Sequence, residues 1–339
     1  MPMQNKEIQN ALKRIESAEK ILILISSPDG DSIGTSIVLK HLLESKQKYV
    51  SLYSNKPINN SLKRLPLIEE IEITNVVKLD FYNYDLLITI DTANLEQLYN
   101  YNIYKNFKFP DNLDILYIDH HFSNTNFGKY KLYEQVSSTA EVLFKYLIEN
   151  KYDLSLDEAE LLYYAIAYDT GFFRWQLNPY TFHAASELLK KELDYDKLSN
   201  IYFENIDDKF ANILDILVKR TKFHKKLKYT SLYIDEKLIK KMNIDRENLK
   251  NYLDTYRANF LMNLTNYDIS VIIREAKGFN IISFRGKSYT NKINLTEINK
   301  YSDFKGGGHK NACSFSSEKN YKEILQEINT ALKDLKSKV

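Results

Sequence analysis

The run Ile21-Leu22-Ile23-Leu24-Ile25 is apolar at every position and stops at Pro28-Asp29-Gly30-Asp31. A strand with one wet face alternates apolar and polar residues. This one does not, so both of its faces must be covered, as in a parallel sheet. Three more short runs behave alike: "YVSLY" (49–53), "YDLLITI" (84–90) and "DILYI" (114–118). Ile8, Leu12 and Ile15 form a helical stripe, and helices are expected over 34–44, 138–149, 157–168 and 181–190. Strands alternating with helices predict an α/β fold whose N-terminal part is an open, mostly parallel sheet with helices on both faces. Gly30 and Gly34 are expected to ease the tight turn from the first strand into its helix.

After about residue 193 the pattern changes. Residues 194–226 read as a charged helical linker, and 227–339 as a smaller α+β domain across a cleft from residues 1–193. Its strands are expected at 227–234, 268–276 and 279–285, with Lys277-Gly278 turning a hairpin and a helix closing the chain near 319–336. Lys and Arg number 47 against 45 Asp and Glu, so no broad basic field marks the chain for long duplex nucleic acid. A small anionic substrate needs only a local basic pocket. The single cysteine, Cys313, excludes an internal disulfide framework and fits a reducing compartment. The N-terminus lacks the apolar stretch of a signal peptide, and no run reaches the about 18 apolar residues of a membrane span. A cytoplasmic protein is expected. There is no GxGxxG after a strand and no Walker motif, which weighs against dinucleotide-cofactor and P-loop chemistry.

In open parallel sheets, ligands bind beyond the carboxyl ends of the strands. The first run ends in Asp29 and Asp31, the "YDLLITI" run in Asp91, and "DILYI" in Asp119-His120-His121. Asp169 ends the apolar helical segment "YYAIAYD" and is followed by Thr170-Gly171. Taken singly, each Asp reads equally well as a turn residue or helix N-cap. Together, converging carboxylates repel one another and need protons, cationic partners or a metal. Only Arg174 supplies a cation beside these segments, so a divalent ion is the simplest balance. Oxygen-rich ligation with one or two imidazoles suits manganese or magnesium better than zinc.

"PDGDSIGTS", "IDTAN", "DHH" and "YDTGFF" occur in the order and spacing of the DHH phosphoesterases, and "GGGHKNACSF" (306–315) resembles the glycine-rich signature of the DHH-associated C-terminal domain. The resemblance spans nearly the whole chain. It implies a two-manganese centre, with Asp31, Asp91, His120 and Asp169 as one site. The second site would use Asp29, Asp91 and a histidine whose position here holds Ile25, beside Ser26 and Ser27. It further implies that His121 meets the scissile phosphate and that Asp119 orients the histidines. Arg285, Gly306, Gly307, Gly308 and His309 would then bind substrate. Cys313, Ser314 and Gly286 depart from the alanine, glycine and serine usual at those positions, and Cys313 reads as a packing residue rather than a reactive thiol.

The activity implied is manganese-dependent hydrolysis (magnesium being the other candidate ion) of very short oligonucleotides and linear or cyclic dinucleotides to mononucleotides by metal-activated water. A phosphatase of 3′-phosphoadenosine 5′-phosphate is the neighbouring reading. A non-catalytic nucleotide-binding protein is the contrasting one, prompted by Ile25. Members of the family often pair, so a homodimer belongs to the same expectation. Read without the family, the glycine run is a place for close backbone approach, an anion-binding nest or a plain flexible loop.

Overall fold

The computed structural model describes residues 6–99, 103–149, 151–203, 207–287 and 289–338. The chain divides into two compact units, Met1–Glu204 and Asn205–Val339.

In the first unit α1 (Lys6–Ser17) leads into β1 (Lys20–Ile25), α2 (Gly30–Ser45), β2 (Tyr49–Ser54), β3 (Glu72–Ile73), β4 (Leu86–Ile90), β5 (Asp114–Asp119) and β6 (Tyr130–Tyr133). Four helices follow: α3 (Thr139–Glu149), α4 (Leu156–Asp169), α5 (Pro179–Leu189) and α6 (Tyr195–Phe203). The sheet order is β3-β2-β1-β4-β5-β6 and every pairing is parallel. The chain leaves β1 toward β2 on one side and returns as β4 on the other. The strand order therefore reverses between β1 and β4, where open sheets leave a crevice for ligands. The register aligns Ile25 with Ile90 and Ile90 with Ile118, so the acidic residues after these three strands emerge side by side.

Ile21, Ile23 and Ile25 join the core under the helices, while Leu22 and Leu24 face the other side with Val76, Phe81, Leu87 and Leu98. Helices cover both faces as expected, but on the second face they are short 3-10 helices, joined there by the aromatic side chains of Phe107 and Phe109. The intervening chain is broken by Asn and Asp caps such as Asn75 and Asp80, whose side chains bond nearby backbone N–H groups.

Gly30 and Gly34 also differ from expectation. Both lie inside α2 rather than in a turn, and a Cβ at Gly34 would sit 2.5 Å from the Leu161 oxygen. A Cβ at Gly30 would collide with the Tyr168 ring. Their small size lets α2 pack against α4, which brings Asp31 toward Asp169.

The second unit carries α7 (Asp208–Arg220), β7 (Lys222–His224), β8 (Tyr229–Ile234), α8 (Glu236–Met242), α9 (Arg246–Asn259), β9 (Ile269–Ala276), β10 (Phe279–Gly286), β11 (Lys305–His309), β12 (Ala312–Ser317) and α10 (Tyr321–Ser337). Its sheet runs β11-β12-β10-β9-β8-β7, antiparallel except for the β8–β9 pair. The Lys277-Gly278 hairpin forms as expected, with Gly278 at φ +82°. One sheet face packs on α10 through Phe284, Cys313, Phe315, Ile328 and Leu332. The other packs on α7 to α9 through Leu217, Leu232, Leu253 and Ile272. Of the expected linker, α6 is buried with the first core through Leu198 and Ile201, and α7 with the second unit through Phe210 and Leu217.

The glycine run is neither a loop nor a nest. It is the outer strand β11, in register with β12. Gly306 and Gly308 sit at φ +146°, and a Cβ on either would strike the backbone of Ser314 or Ala312. Cys313 is a packing residue: it is buried, and burial pushes its thiol up to about 12.

Candidate metal centre

Asp29 caps α2. Its Oδ1 accepts from Ser32 N at 3.0 Å, and Ser32 Oγ accepts from Asp29 N at 3.0 Å. Two residues on, Asp31 is fully buried and held by the first turn of α3. Its Oδ2 accepts from Thr139 N at 2.6 Å, and its Oδ1 from Ala140 N at 2.9 Å and Thr35 Oγ1 at 3.2 Å. The N–H groups at a helix start are free to bind an anion, so this carboxylate is fixed before any ligand arrives.

Asp91 follows β4 in a left-handed conformation, φ +52°, uncommon for a residue other than glycine. Its Oδ1 accepts from Thr139 Oγ1 at 3.1 Å and lies 3.4 Å from His121 Nδ1 and 3.6 Å from His120 Nε2. Asp169 ends α4, with its Oδ2 3.1 Å from His120 Nε2. Strain continues past it: Gly171, Phe172 and Phe173 all have φ near +60°. Such outliers persist only where the surroundings over-determine them, and they cluster at functional sites. The Trp175 indole N–H donates to the Asp169 carbonyl at 3.1 Å and helps close the loop.

Burial is the largest cause of the raised pKa values of Asp31 and Asp91, which stand well above the carboxylate range. The charge of Asp169 adds to it at Asp31, and those of Asp29, Asp31 and Asp169 at Asp91. Burial and then Asp169 push Asp29 up to about 6. Burial opposes the charged form of His120, but Asp169, Asp91 and Asp31 outweigh it and hold its pKa well above the ordinary value. Such a group of carboxylates cannot all ionise at neutral pH without a cation.

His120 Nδ1 faces the Val136 carbonyl at 3.2 Å, leaving Nε2 buried without a hydrogen-bond partner beside Asp169 and Asp91. A buried imidazole nitrogen among carboxylates, not aligned for a hydrogen bond to any of them, fits a metal. Asp31, His120 and Asp169 place one ligand atom each within 4.8 Å of one another, and so do Asp91, His120 and His121.

Asp119 is wholly buried at the end of β5. Its Oδ1 accepts from His121 Nδ1 at 2.7 Å and its Oδ2 from Asn124 Nδ2 at 2.6 Å. Burial works to raise its pKa, yet these bonds hold it below the usual carboxylate value. An ionised Asp119 only accepts, so His121 Nδ1 carries the proton and Nε2 is left for a ligand. Ile25 is fully buried in the apolar core and offers no donor.

The sequence reading brought together here comprises Asp29, Asp31, Asp91, Asp119, His120, His121 and Asp169. It missed Thr139 and Asn124. The Ser137-Ser138-Thr139 run just before an apolar helical stretch is a helix-start signal that could have flagged the first. Arg285, Gly306, Gly307, Gly308 and His309 lie in the second unit. Arg285 is exposed on β10, with Nη1 bonded to the Phe284 carbonyl at 3.2 Å. His309 pairs with Ala312 through the backbone, and its side chain lies outside the described residues. The departure at Gly286 has a steric reason, because a Cβ there would come within 2.6 Å of Asn291 Nδ2. That amide is fixed by Asn311 Oδ1 at 2.7 Å.

Residues 20–166 match the N-terminal domain of the DHH family, and residues 227–335 match the DHHA1 domain. The chain is a DHH-family protein. It is 26% identical over 335 residues to a probable bifunctional oligoribonuclease and PAP phosphatase, NrnA, of Streptococcus mutans, covering 95% of this chain and 98% of that one. Its fold is similar to that of an exopolyphosphatase-related protein from Bacteroides fragilis (TM-score 0.82, 23% identity, 97% and 96% of the two chains). It is also similar to RecJ in complex with Mn2+ from Thermus thermophilus (TM-score 0.54, 11% identity, all of this chain and 56% of that one).

Proposed function

We propose that this protein is a manganese-dependent phosphodiesterase that hydrolyses very short oligonucleotides and linear or cyclic dinucleotides to mononucleotides. As a DHH-family chain it is a hydrolase of phosphoester bonds. The observation that carries the finer reading is the buried His120 Nε2, without a well-aligned hydrogen bond, among carboxylates whose pKa values burial and mutual repulsion raise. Asp31, Asp91, His120 and Asp169 would hold the ion, which supplies Lewis-acid stabilisation of phosphoryl oxygens and an acidified water. Manganese is favoured by the mixed carboxylate and imidazole donor set, with magnesium as the other candidate.

The chain's own residues do the positioning. α3 fixes Asp31 through two backbone N–H groups, and Thr139 Oγ1 fixes Asp91. Asp119 sets the His121 tautomer, so that Nε2 of this more exposed imidazole would be turned toward the substrate. In the second unit, Arg285 and the edge strand β11 are assigned to grip the terminal nucleotide. A cytoplasmic setting belongs to this reading and is supported by the lone, buried cysteine. No described helix is long and apolar enough to cross a membrane.

The second reading, a phosphatase of 3′-phosphoadenosine 5′-phosphate, is favoured by the paired activities in the name of the Streptococcus relative. Incubation with manganese, magnesium or chelator and a panel of pApA, cyclic di-AMP, short RNA and 3′-phosphoadenosine 5′-phosphate separates the two by product chromatography. Mononucleotides from the dinucleotides support the first reading, and exclusive dephosphorylation of the last substrate supports the second. No turnover of any substrate with either metal sinks both.

A further inference from the structure

α9 carries an arginine where a charged helix is expected to face water, yet Arg257 is only 4% exposed. Its Nη1 donates to Ser283 Oγ at 3.0 Å and its Nη2 reaches the Ser283 carbonyl at 3.4 Å. Its Nε is buried with no partner. The nearest carboxylate is Asp254 at 3.7 Å, itself half exposed. Burial lowers the guanidinium to about 10; Asp254 opposes this, and the charge of Arg285 adds to it. A buried cation with one loose counter-charge and a like charge beside it is unfavourable unless something balances it.

Ser283 and Arg285 are two apart on β10 and so share a sheet face. The register carries this polar face across the sheet: Ser314 and Gly307 lie beyond Ser283, and Ser270 lies opposite Arg285 with Thr230 beyond it. Ser270 and Thr230 are fully buried, and their hydroxyls also lack partners. Arg285 forms no ion pair with a carboxylate among the described residues. Natural interiors leave few such groups unsatisfied, and each calls for a ligand or water.

We infer that Arg257 is a positioning residue for an anion site on this face, adding its charge from beneath Arg285, which takes one phosphate group of the nucleotide. The inference rests on the reading that the second unit grips the nucleotide. Phosphate suits the pair because its oxygens accept from the planar fork of Arg285 while its charge offsets both cations. A phosphate on Arg285 places negative charge beside Arg257, whose tie to Ser283 steadies the strand segment carrying Arg285.

The test needs no metal. Full-length protein in chelator is titrated with AMP, adenosine and inorganic phosphate by calorimetry, for the parent, Arg285→Met, Arg257→Met and Arg257→Lys. AMP is expected to bind more tightly than adenosine. Arg257→Met should weaken AMP at least about tenfold, leave adenosine unchanged, and melt at the parent temperature or above it, because an unbalanced buried charge has been removed. Arg257→Lys, which keeps the charge but loses the fork, should fall between the two. Equal AMP affinity in Arg257→Met and parent overturns the inference. So does a parallel loss of AMP and adenosine binding with a lowered melting temperature, which marks a purely structural arginine. Should Arg257→Met not fold, an Arg257→Lys indistinguishable from the parent overturns it equally. Because nothing is hydrolysed here, intact AMP preference without turnover in manganese would sink the phosphodiesterase reading alone. Turnover without any preference of AMP over adenosine would sink this inference alone.

Discussion

In the first unit, carboxylates from the ends of β1, β4 and α4 crowd around one imidazole. In the second, two guanidinium groups share one end of a sheet face with buried hydroxyls. Each arrangement concentrates charge of one sign, and each leaves a buried donor or acceptor without a partner. The difference lies in how the charge is held. Asp31 and Asp91 are anchored by the start of α3, so the negative cluster is rigid before binding. Arg285 stands on an exposed surface and only Arg257 beneath it is fixed. A rigid anionic cluster suits chemistry, where geometry is exacting, and an exposed arginine backed by a fixed one suits the proposed anion site.

The largest blow to this contrast is Asp91→Ala. Asp91 faces both histidines and carries a carboxylate whose pKa is raised by burial and then by its acidic neighbours. Its removal should cost several kcal/mol of transition-state stabilisation, about a thousandfold or more in turnover of dinucleotide. The metal-free variant should nevertheless melt no lower than the parent, since one repelling charge is gone. Parent-like turnover would break the assignment of chemistry to this unit.

Acidity sharpens the contrast next. Asp29 is raised to about 6 from 3.8, and Asp31, Asp91 and His120 are raised in the same sense. A group whose pKa is higher in the folded state stabilises the fold below its unfolded pKa and loses that contribution as pH rises through the folded one. Metal-free protein should therefore melt at lower temperature as pH climbs from about 4 to 6 through Asp29, and lower still as His120 loses its proton above the ordinary histidine value. Manganese should cancel this fall, adding about 2.7 kcal/mol at a hundredfold excess over its dissociation constant. A metal-free melting curve that rises over this window would contradict the geometry.

Ile25→His gives a smaller and more local effect. The imidazole would stand at the end of β1 beside Asp29 and Asp91, so bound manganese per chain should rise by about one ion, read by elemental analysis. The metal-free variant should lose stability, because Ile25 is fully buried in the apolar core. The mildest test lies in the second unit. Gly286→Ser should destabilise by about 1–3 kcal/mol through overpacking against Asn291, and Asn291→Ala should relieve it. Chemical denaturation of the two single variants and the double variant measures the coupling.

Much of this was legible in the residues. β1, β4 and β5 are apolar at nearly every position, and the aspartates that stop them could be placed beyond a parallel sheet without coordinates. The short 3-10 form of the helices on the second face was not legible, because 3-10 turns and loop aromatics have no periodicity. The glycine run read as a place for close backbone approach, a nest or a flexible loop, because glycine has no Cβ. Only its pairing with β12 shows that φ +146° leaves no room for a Cβ. Thr139 and Arg257 were missed for the same reason: what each does depends on a partner far away in sequence, Asp31 and Asp91 for one and Ser283 for the other. An arginine in a charged helix looks solvated until the sheet beneath it is known.

The central claim is that the strand-end carboxylates of the first unit await a divalent cation. Calorimetric titration of manganese into chelator-stripped protein, in two buffers of different ionisation enthalpy, tests it most directly. At least one ion per chain should bind with release of protons, because Asp31, Asp91 and His120 must shed theirs to ligate it, and Asp91→Ala should abolish that tight event. Absence of binding, or binding that releases no protons and survives Asp91→Ala, would contradict the account.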